Sequence, residues 1–92
     1  MMFFVISYDV SDDKRRTQIH KALKSFGLWV QYSLFECELS KSDYVRLRER
    51  LEALSKPEED NLRFYKLCQV CQETVERIGE DPRLDEFGIF IE

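Results

Sequence analysis

A short apolar run that ends in an acidic residue is the feature that most restricts the fold of this chain. Residues 2–8 read Met-Phe-Phe-Val-Ile-Ser-Tyr, and Asp9 follows at once. Aromatic and β-branched residues dominate the run, a pattern typical of a central strand that is covered on at least one face. The sequence therefore predicts a first strand whose end carries a carboxylate.

The residues that follow have the pattern of a helix. Residues 11–13, Ser-Asp-Asp, supply helix-start chemistry, because their oxygens can cap free backbone N–H groups and their charge complements the helix dipole. Apolar residues then recur at helical spacing. Gly27 stands where a left-handed C-terminal residue is expected. We therefore predict a first helix over residues 13–26.

The next segments are predicted as extended chain and then helix. Residues 28–39 favour strand and form either one bent strand or a tight hairpin, alternatives that periodicity does not separate. Residues 40–43 have the pattern of a capping box, and an apolar stripe follows over residues 44–54. Pro57 ends this second helix. Three further extended segments are predicted, over residues 62–67, 73–78 and 87–91.

This order of elements predicts an α+β fold. Strand, helix, two strands, helix and strand make the ferredoxin-like βαββαβ sandwich, with an antiparallel sheet and two helices on one face. We expect one such domain over residues 1–78, since the chain is too short for a second. Residues 79–92 are predicted to be an acidic C-terminal extension that forms a strand at a dimer or partner interface. The fold alone implies no function.

The charge of the chain is distributed unevenly. The formal net charge of −4 does not by itself favour a nucleic-acid role. Residues 1–79 are balanced, however, and residues 80–92 carry the acidic excess. Positive charge is concentrated in one segment that comprises Lys14, Arg15, Arg16, Lys21 and Lys24. Because screening limits the reach of distant charge to roughly 10 Å, this local patch can bind phosphate despite the acidic total.

The cysteines and the N-terminus indicate a cytoplasmic chain without membrane contact. Three cysteines, an odd number, do not make a secreted disulfide framework. The apolar N-terminal run lacks a basic leader and a cleavage site, and it is too short to span a bilayer. Cys68-x-x-Cys71 is half of a zinc site at most, and a thioredoxin-type pair would have to open a helix. Free thiols are the simpler interpretation.

Asp9 has two interpretations on residue chemistry alone. A carboxylate at the end of a rigid strand can hold Mg²⁺, which often uses one or two carboxylates together with waters and substrate phosphate. Alternatively, Asp9 is a turn or helix-cap residue. Tyr8 either contacts substrate or belongs to the core. Arg15 and Arg16 either hold phosphate or form a solvated helix face.

The motif residues of the first half of the chain occur in a fixed order. Tyr8-Asp9 is followed by Arg15-Arg16, by Lys21-x-Leu23 and by Gly27-x-x-x-Gln31-x-Ser33-x-Phe35-Glu36. This spacing resembles the second of the two core CRISPR-associated proteins of spacer acquisition. The resemblance is close over residues 1–36, and the order of strands and helices continues to about residue 78.

The resemblance implies a homodimer in which the C-terminal strand extends the partner's sheet. It implies that Asp9 lies near the two-fold axis as the Mg²⁺ ligand and a catalytic residue, with Tyr8 beside it. The positions implied to contact nucleic acid are Arg15, Arg16, Ser33 and Phe35. The implied activity is metal-dependent endonuclease chemistry on duplex DNA or single-stranded RNA, in a dimer that bridges integrase subunits.

Two other functions stay open on the sequence. One is a non-catalytic architectural dimer that supports DNA through phosphate contacts. The other is a ribonuclease toxin of the virulence-associated protein D type, which has a related fold and a comparable aspartate. One position departs from the family pattern, because Trp29 stands where many relatives carry Arg. Tryptophan can stack but cannot neutralise phosphate.

Overall fold

The computed structural model describes residues 1–79, which form a four-stranded sheet with two main helices on one face. The strands are β1 (Met2–Asp9), β2 (Leu28–Gln31), β3 (Leu34–Leu39) and β4 (Asn61–Leu67), and the helices are α1 (Asp13–Lys24), α2 (Lys41–Leu54) and α3 (Gln69–Glu73). The strand order is β2-β3-β1-β4, and all neighbours are antiparallel. The predicted ferredoxin-like α+β fold is confirmed.

Strand β1 lies in the interior of the sheet and organises the core. Ile6 is in register with Phe35 of β3 on one side and with Phe64 of β4 on the other. Alternate side chains of β1 point toward the helices, as the period of a strand requires. The buried core comprises residues from β1, β3 and both helices, namely Phe4, Ile6, Tyr8, Val10, Ile19, Ala22, Leu23, Phe35, Cys37, Leu39, Leu47 and Leu51.

The extended segment after α1 is a hairpin. β2 pairs antiparallel with β3, and the turn between them contains Tyr32 and Ser33. Tyr32 has a φ of 45°, in the left-handed region that side chains other than glycine adopt rarely. The chain therefore reverses within two residues, and the alternative of one bent strand is wrong.

Both predicted helix starts are confirmed. The side chain of Asp12 accepts a hydrogen bond from the backbone N–H of Arg15 at 2.9 Å, which caps α1. Ser40 accepts one from the backbone N–H of Asp43 at 3.1 Å, which caps α2. These two caps explain why the N-termini of both helices can be predicted from the sequence to within one residue.

Gly27 ends the turn after α1 for a different reason from the predicted one. Among residues 1–79, Gly79 is the one glycine with positive φ, so Gly27 is not a left-handed cap. A Cβ at Gly27 would instead lie 2.2 Å from Sγ of Cys37 and 2.7 Å from the backbone oxygen of Glu36. Glycine is therefore required by the close approach of this turn to β3.

The strand predicted over residues 73–78 is wrong. Residues 69–73 form the short helix α3, and residues 74–78 have no regular structure. This segment lies against the face of the sheet opposite the helices, because Arg77 bonds to Glu36 at 2.9 Å and Gln72 bonds to Glu38 at 3.5 Å. These side-chain contacts, rather than strand pairing, hold the segment. The predicted strand over 87–91, like the acidic extension from residue 80 onward, lies outside the described residues.

Within residues 1–79, no helix is both long enough and apolar enough to cross a membrane.

The packing at Gly27 gives a first prediction. Gly27→Ala should lower the free energy of unfolding by about 1–3 kcal/mol, because the added methyl group must displace Cys37 and the backbone of β3. Urea unfolding measures this change. Gln18→Ala, at an exposed position of α1, is the control and should stay within about 0.5 kcal/mol of the wild type. An unchanged urea midpoint for Gly27→Ala would contradict the close approach.

Candidate functional site at the end of the first strand

Asp9 is the last residue of β1 and its side chain is exposed. Within residues 1–79, no group forms a hydrogen bond or an ion pair with its carboxylate. The neighbouring acids have structural partners, since Asp12 caps α1 and Asp13 pairs with Arg16. The interpretation of Asp9 as a helix cap is therefore wrong, because Asp12 is the cap. Among the described residues, both carboxylate oxygens of Asp9 are free for an external ligand.

Tyr8 is buried and supports Asp9 from the core side. Its hydroxyl forms a hydrogen bond with Nδ1 of His20 at 2.9 Å. Its ring lies 6.3 Å from the ring of Phe35, centroid to centroid. Burial raises the pKa of Tyr8 above its ordinary value, and the charge of Arg16 opposes only part of that rise. The phenol therefore stays protonated at neutral pH and serves as a fixed hydrogen-bonding group.

Ser33, in the hairpin turn, and Phe35, on β3, flank this position. The backbone oxygen of Ser33 accepts a hydrogen bond from the backbone N–H of Tyr8 at 3.1 Å, which brings the hairpin turn beside the end of β1. Phe35 is fully buried, and its ring lies 5.1 Å from the ring of His20. In this structure Phe35 has no exposed ring surface for nucleic acid, and what it contributes is packing beneath Tyr8.

Arg16 lies over the turn that joins β1 to α1. Its guanidinium donates to the backbone oxygen of Val10 at 3.0 Å and pairs with Asp13. Its side chain is 43% exposed, so part of the guanidinium still faces solvent. Arg16 is thus held at Val10, the residue after Asp9, by its guanidinium. The exposed part of that guanidinium has further N–H donors that suit a phosphate contact.

Arg15, the second predicted phosphate ligand, faces inward. Its guanidinium donates two hydrogen bonds to Asp60, at 2.9 and 3.1 Å, and a third to Glu59 at 2.9 Å. The side chain of Asp60 is fully buried. Hydrogen bonds from Arg15, and then from the backbone N–H of Lys56, lower the pKa of Asp60 below its ordinary range. Arg15 therefore ties α1 to the loop before β4, and Arg16 is the more accessible of the two.

His20 belongs to this cluster, although the sequence does not indicate it, because no cysteine or serine stands at a spacing that suggests a catalytic arrangement. The structure places its ring against Tyr8, Trp29 and Phe35, with the Trp29 ring 5.8 Å away. No local pattern signals this cluster, because it forms only when α1 packs across β1, β2 and β3.

The cysteines do not form a metal centre within residues 1–79. Cys37 is buried, and burial raises the pKa of its thiol to about 12. Cys68 and Cys71 are exposed, and the side chain of Cys68 caps the short helix α3. Across this part of the chain, no three residues of the types His, Cys, Asp and Glu cluster closely enough to hold a metal ion. A cation at Asp9 would therefore need waters, a phosphate or a second copy of the chain as further ligands.

Fold and site together define a class: a small ferredoxin-like domain with a free carboxylate at the end of its central strand. Residues 2–75 match the family of the CRISPR associated protein Cas2. A relative from Chloroflexus aurantiacus, named CRISPR-associated endoribonuclease Cas2 1, is 49% identical over 82 residues, which are 88% of each chain. The chain therefore belongs to the Cas2 family.

Solved structures agree with this assignment. The crystal structure of Streptococcus pyogenes Cas2 at pH 6.5 superposes with a TM-score of 0.74 and 31% identity, covering 85% of this chain and 100% of that one. A chain of a partial Cas6-RT-Cas1–Cas2 complex superposes with a TM-score of 0.73 and 30% identity, covering 89% and 90%.

The Arg15–Asp60 pair gives a prediction about pH. Because the pKa of Asp60 is lowered on folding, its contribution to stability is complete above the ordinary carboxyl pKa of about 3.9 and is lost as pH falls through the lower folded value. Asp60→Asn should therefore lower the melting temperature at pH 7, and its difference from the wild type should shrink below about pH 4.

Thermal unfolding followed by circular dichroism across this pH range is the measurement. Glu59→Gln is the matched control, because it removes a half-exposed carboxylate that contacts the same guanidinium. This control should change the melting temperature little. Equal effects of the two substitutions at pH 7 would show that the buried Arg15–Asp60 pair stabilises the fold no more than the exposed Arg15–Glu59 pair.

Proposed function

We propose that this chain is a metal-dependent endonuclease subunit of CRISPR spacer acquisition, which acts as a homodimer and bridges copies of an integrase subunit. The observation that carries the proposal is the free carboxylate of Asp9. It ends the central strand without a structural role in residues 1–79, while Asp12, Asp13 and Asp60 all have one. Family membership and the endoribonuclease names of the relatives support the same activity.

The donor set of Asp9 suits magnesium better than a softer metal. Mg²⁺ takes oxygen ligands, keeps several waters and often uses one or two carboxylates together with substrate phosphate. One chain supplies a single such carboxylate, and a two-fold dimer would supply a second. The bound ion would polarise a phosphodiester and lower the pKa of an attacking water. In this proposal Asp9 binds the ion, Tyr8 fixes the backbone beside it, and Arg16 binds a flanking phosphate.

On the sheet face opposite the helices, the part that residues 69–78 leave uncovered is the surface that we propose for dimerisation. Val5 and Tyr65 are cross-strand neighbours there, and Tyr65 is 48% exposed. Leu34 lies on the same face and is only partly buried. A second copy that covers this face would bury apolar area that residues 1–79 of one chain leave in contact with water.

The proposed partners of the dimer are an integrase subunit and nucleic acid. A structural neighbour comes from a partial Cas6-RT-Cas1–Cas2 complex, which supports an integrase subunit as a partner. Family membership also favours spacer acquisition over the toxin of the virulence-associated protein D type. A toxin would arrest growth when expressed alone, and we expect no arrest here.

Asp9→Asn tests the catalytic proposal. The substitution keeps the size of the side chain and removes its charge, so Mg²⁺-dependent cleavage of RNA or duplex DNA should fall to background. The melting temperature and the dimer should be unchanged, because Asp9 has no structural partner in residues 1–79. Asp43→Asn, at a partly exposed carboxylate in the first turn of α2, is the control and should cleave normally. Full cleavage by Asp9→Asn would falsify the metal-ligand role.

An architectural role without cleavage is the second candidate, and one feature of α1 favours it. Lys14, Lys21 and Lys24 are exposed along one side of the helix, at spacings of seven and three residues. Within residues 1–79 none of them is in an ion pair. Such a row binds phosphates without reading sequence. A dimer with two of these rows would support duplex DNA beside an integrase.

The salt dependence of DNA binding tests this row. Replacing Lys14, Lys21 and Lys24 together by Ala should reduce the slope of log K against log salt by roughly 0.9 for each DNA phosphate that the variant no longer neutralises. Lys66→Ala, on β4, is the control and should leave the slope unchanged. If the triple variant keeps the wild-type slope, then α1 does not bind DNA. Spacer integration that survives Asp9→Asn but fails in the triple variant would favour the architectural role.

A further inference from the structure

We propose that the ring of Tyr32 is a stacking surface for one unpaired nucleobase of a single strand bound at the Asp9 site. This inference rests on the proposed function, because it assigns the part of the substrate that lies next to the carboxylate. The ligand class is a single-stranded nucleic acid with an unstacked base at this point, rather than an intact duplex.

The first observation is that the exposed ring and the backbone conformation of Tyr32 are both unfavourable for folding, and that packing compensates for neither. Its side chain is 85% exposed, although an aromatic ring is stabilised most when it is removed from water. Its backbone has a φ of 45°, which glycine or asparagine adopts with far less strain. Residues in such conformations concentrate at functional sites. An exposed aromatic ring on a strained turn is therefore better explained by binding than by folding.

The second observation is that the turn is held rigid. Nε1 of Trp29 donates a hydrogen bond to the backbone oxygen of Tyr32 at 2.7 Å. The Trp29 ring in turn packs edge-on against His20, and His20 bonds to the hydroxyl of Tyr8. The position of the Tyr32 backbone is thus fixed through a continuous chain of contacts to the core. Because the backbone of the turn is already fixed, only the torsions of the Tyr32 side chain lose freedom when the ring binds a ligand.

The third observation is the location of the turn. Ser33, the next residue, accepts a hydrogen bond from the backbone N–H of Tyr8 at 3.1 Å. The turn therefore lies at the same end of the sheet as Asp9, directly across from the last residues of β1. We infer that a strand whose phosphate lies at Asp9 and Arg16 places a neighbouring base at this turn. In a duplex that base is paired and stacked, so its face is not available.

A stacking role for Tyr32 also gives a role to Trp29. This position lacks the positive charge of an arginine and so adds no phosphate contact, but its indole N–H holds the stacking turn in place. Because every base has a π-face, stacking on Tyr32 would be tolerant of sequence. The site would then select for the single-stranded state of the substrate and not for a particular base.

Two substitutions at Tyr32 separate the ring from the backbone. Tyr32→Phe keeps the ring and the strain, and it should bind a short oligouridylate as tightly as the wild type. Tyr32→Asn removes the ring but suits the left-handed backbone, and it should weaken that binding roughly 5- to 150-fold. Affinity for the same oligouridylate annealed to oligoadenylate should change in neither variant. Fluorescence anisotropy with the full chain measures all of these values.

Stability distinguishes a binding role from a structural one. If Tyr32 acts in binding, Tyr32→Asn keeps or raises the melting temperature, because asparagine relieves the strain at φ 45°. Trp29 is the single tryptophan of the chain, so its emission reports directly on the turn. Oligouridylate should change this emission in the wild type and in Tyr32→Phe, but not in Tyr32→Asn.

The outcomes for Tyr32 and for Asp9 are independent. Equal oligouridylate affinity of Tyr32→Asn and the wild type overturns the stacking role, even when Asp9→Asn has lost cleavage. A lower melting temperature of Tyr32→Asn together with weaker binding also overturns it, since the ring would then be structural. Weaker binding by Tyr32→Asn at full stability supports the stacking role, even when Asp9→Asn still cleaves and the proposed metal role fails.

Discussion

The hydrogen-bond ladders on both sides of β1 are the constraint on which the rest of the structure depends. β1 pairs with β3 on one side and with β4 on the other, so neither of its edges is free. Its alternate side chains must then fill the core beneath both helices, which fixes where α1 and α2 pack. The one polar group that this arrangement directs away from the core at the end of the strand is the carboxylate of Asp9.

The site follows from how the nearby charges are used. Asp12 caps α1, Asp13 pairs with Arg16, and Asp60 pairs with Arg15. An ion pair that involves a fully buried carboxylate is broken only at a large cost, so Arg15 is held in the framework. Among residues 1–79 the carboxylate of Asp9 has no such partner, and the guanidinium of Arg16 stays partly exposed. The proposed site uses these two groups.

The hairpin turn adds a different kind of signal. Most of the chain obeys local rules, with capped helices, an alternating central strand and a glycine where the backbone is crowded. Tyr32 departs from such rules in two ways, since its aromatic ring is exposed and its backbone φ is positive. Violations of local rules in an otherwise consistent sequence are expected at functional sites. The turn lies at the same end of the sheet as Asp9, where a residue that binds the same ligand is expected.

The sequence by itself determined β1, α1, α2 and β4, the two helix caps and the position of Asp9 at the end of β1, because these depend on neighbours within a few residues. Only the tertiary structure decided that residues 28–39 form a hairpin and that Gly27 is needed to avoid Cys37. It alone joined Arg15 to Asp60, 45 residues away, and His20 to Tyr8. Such pairs form when helices pack on the sheet, and no periodicity along the chain encodes which distant side chains then meet.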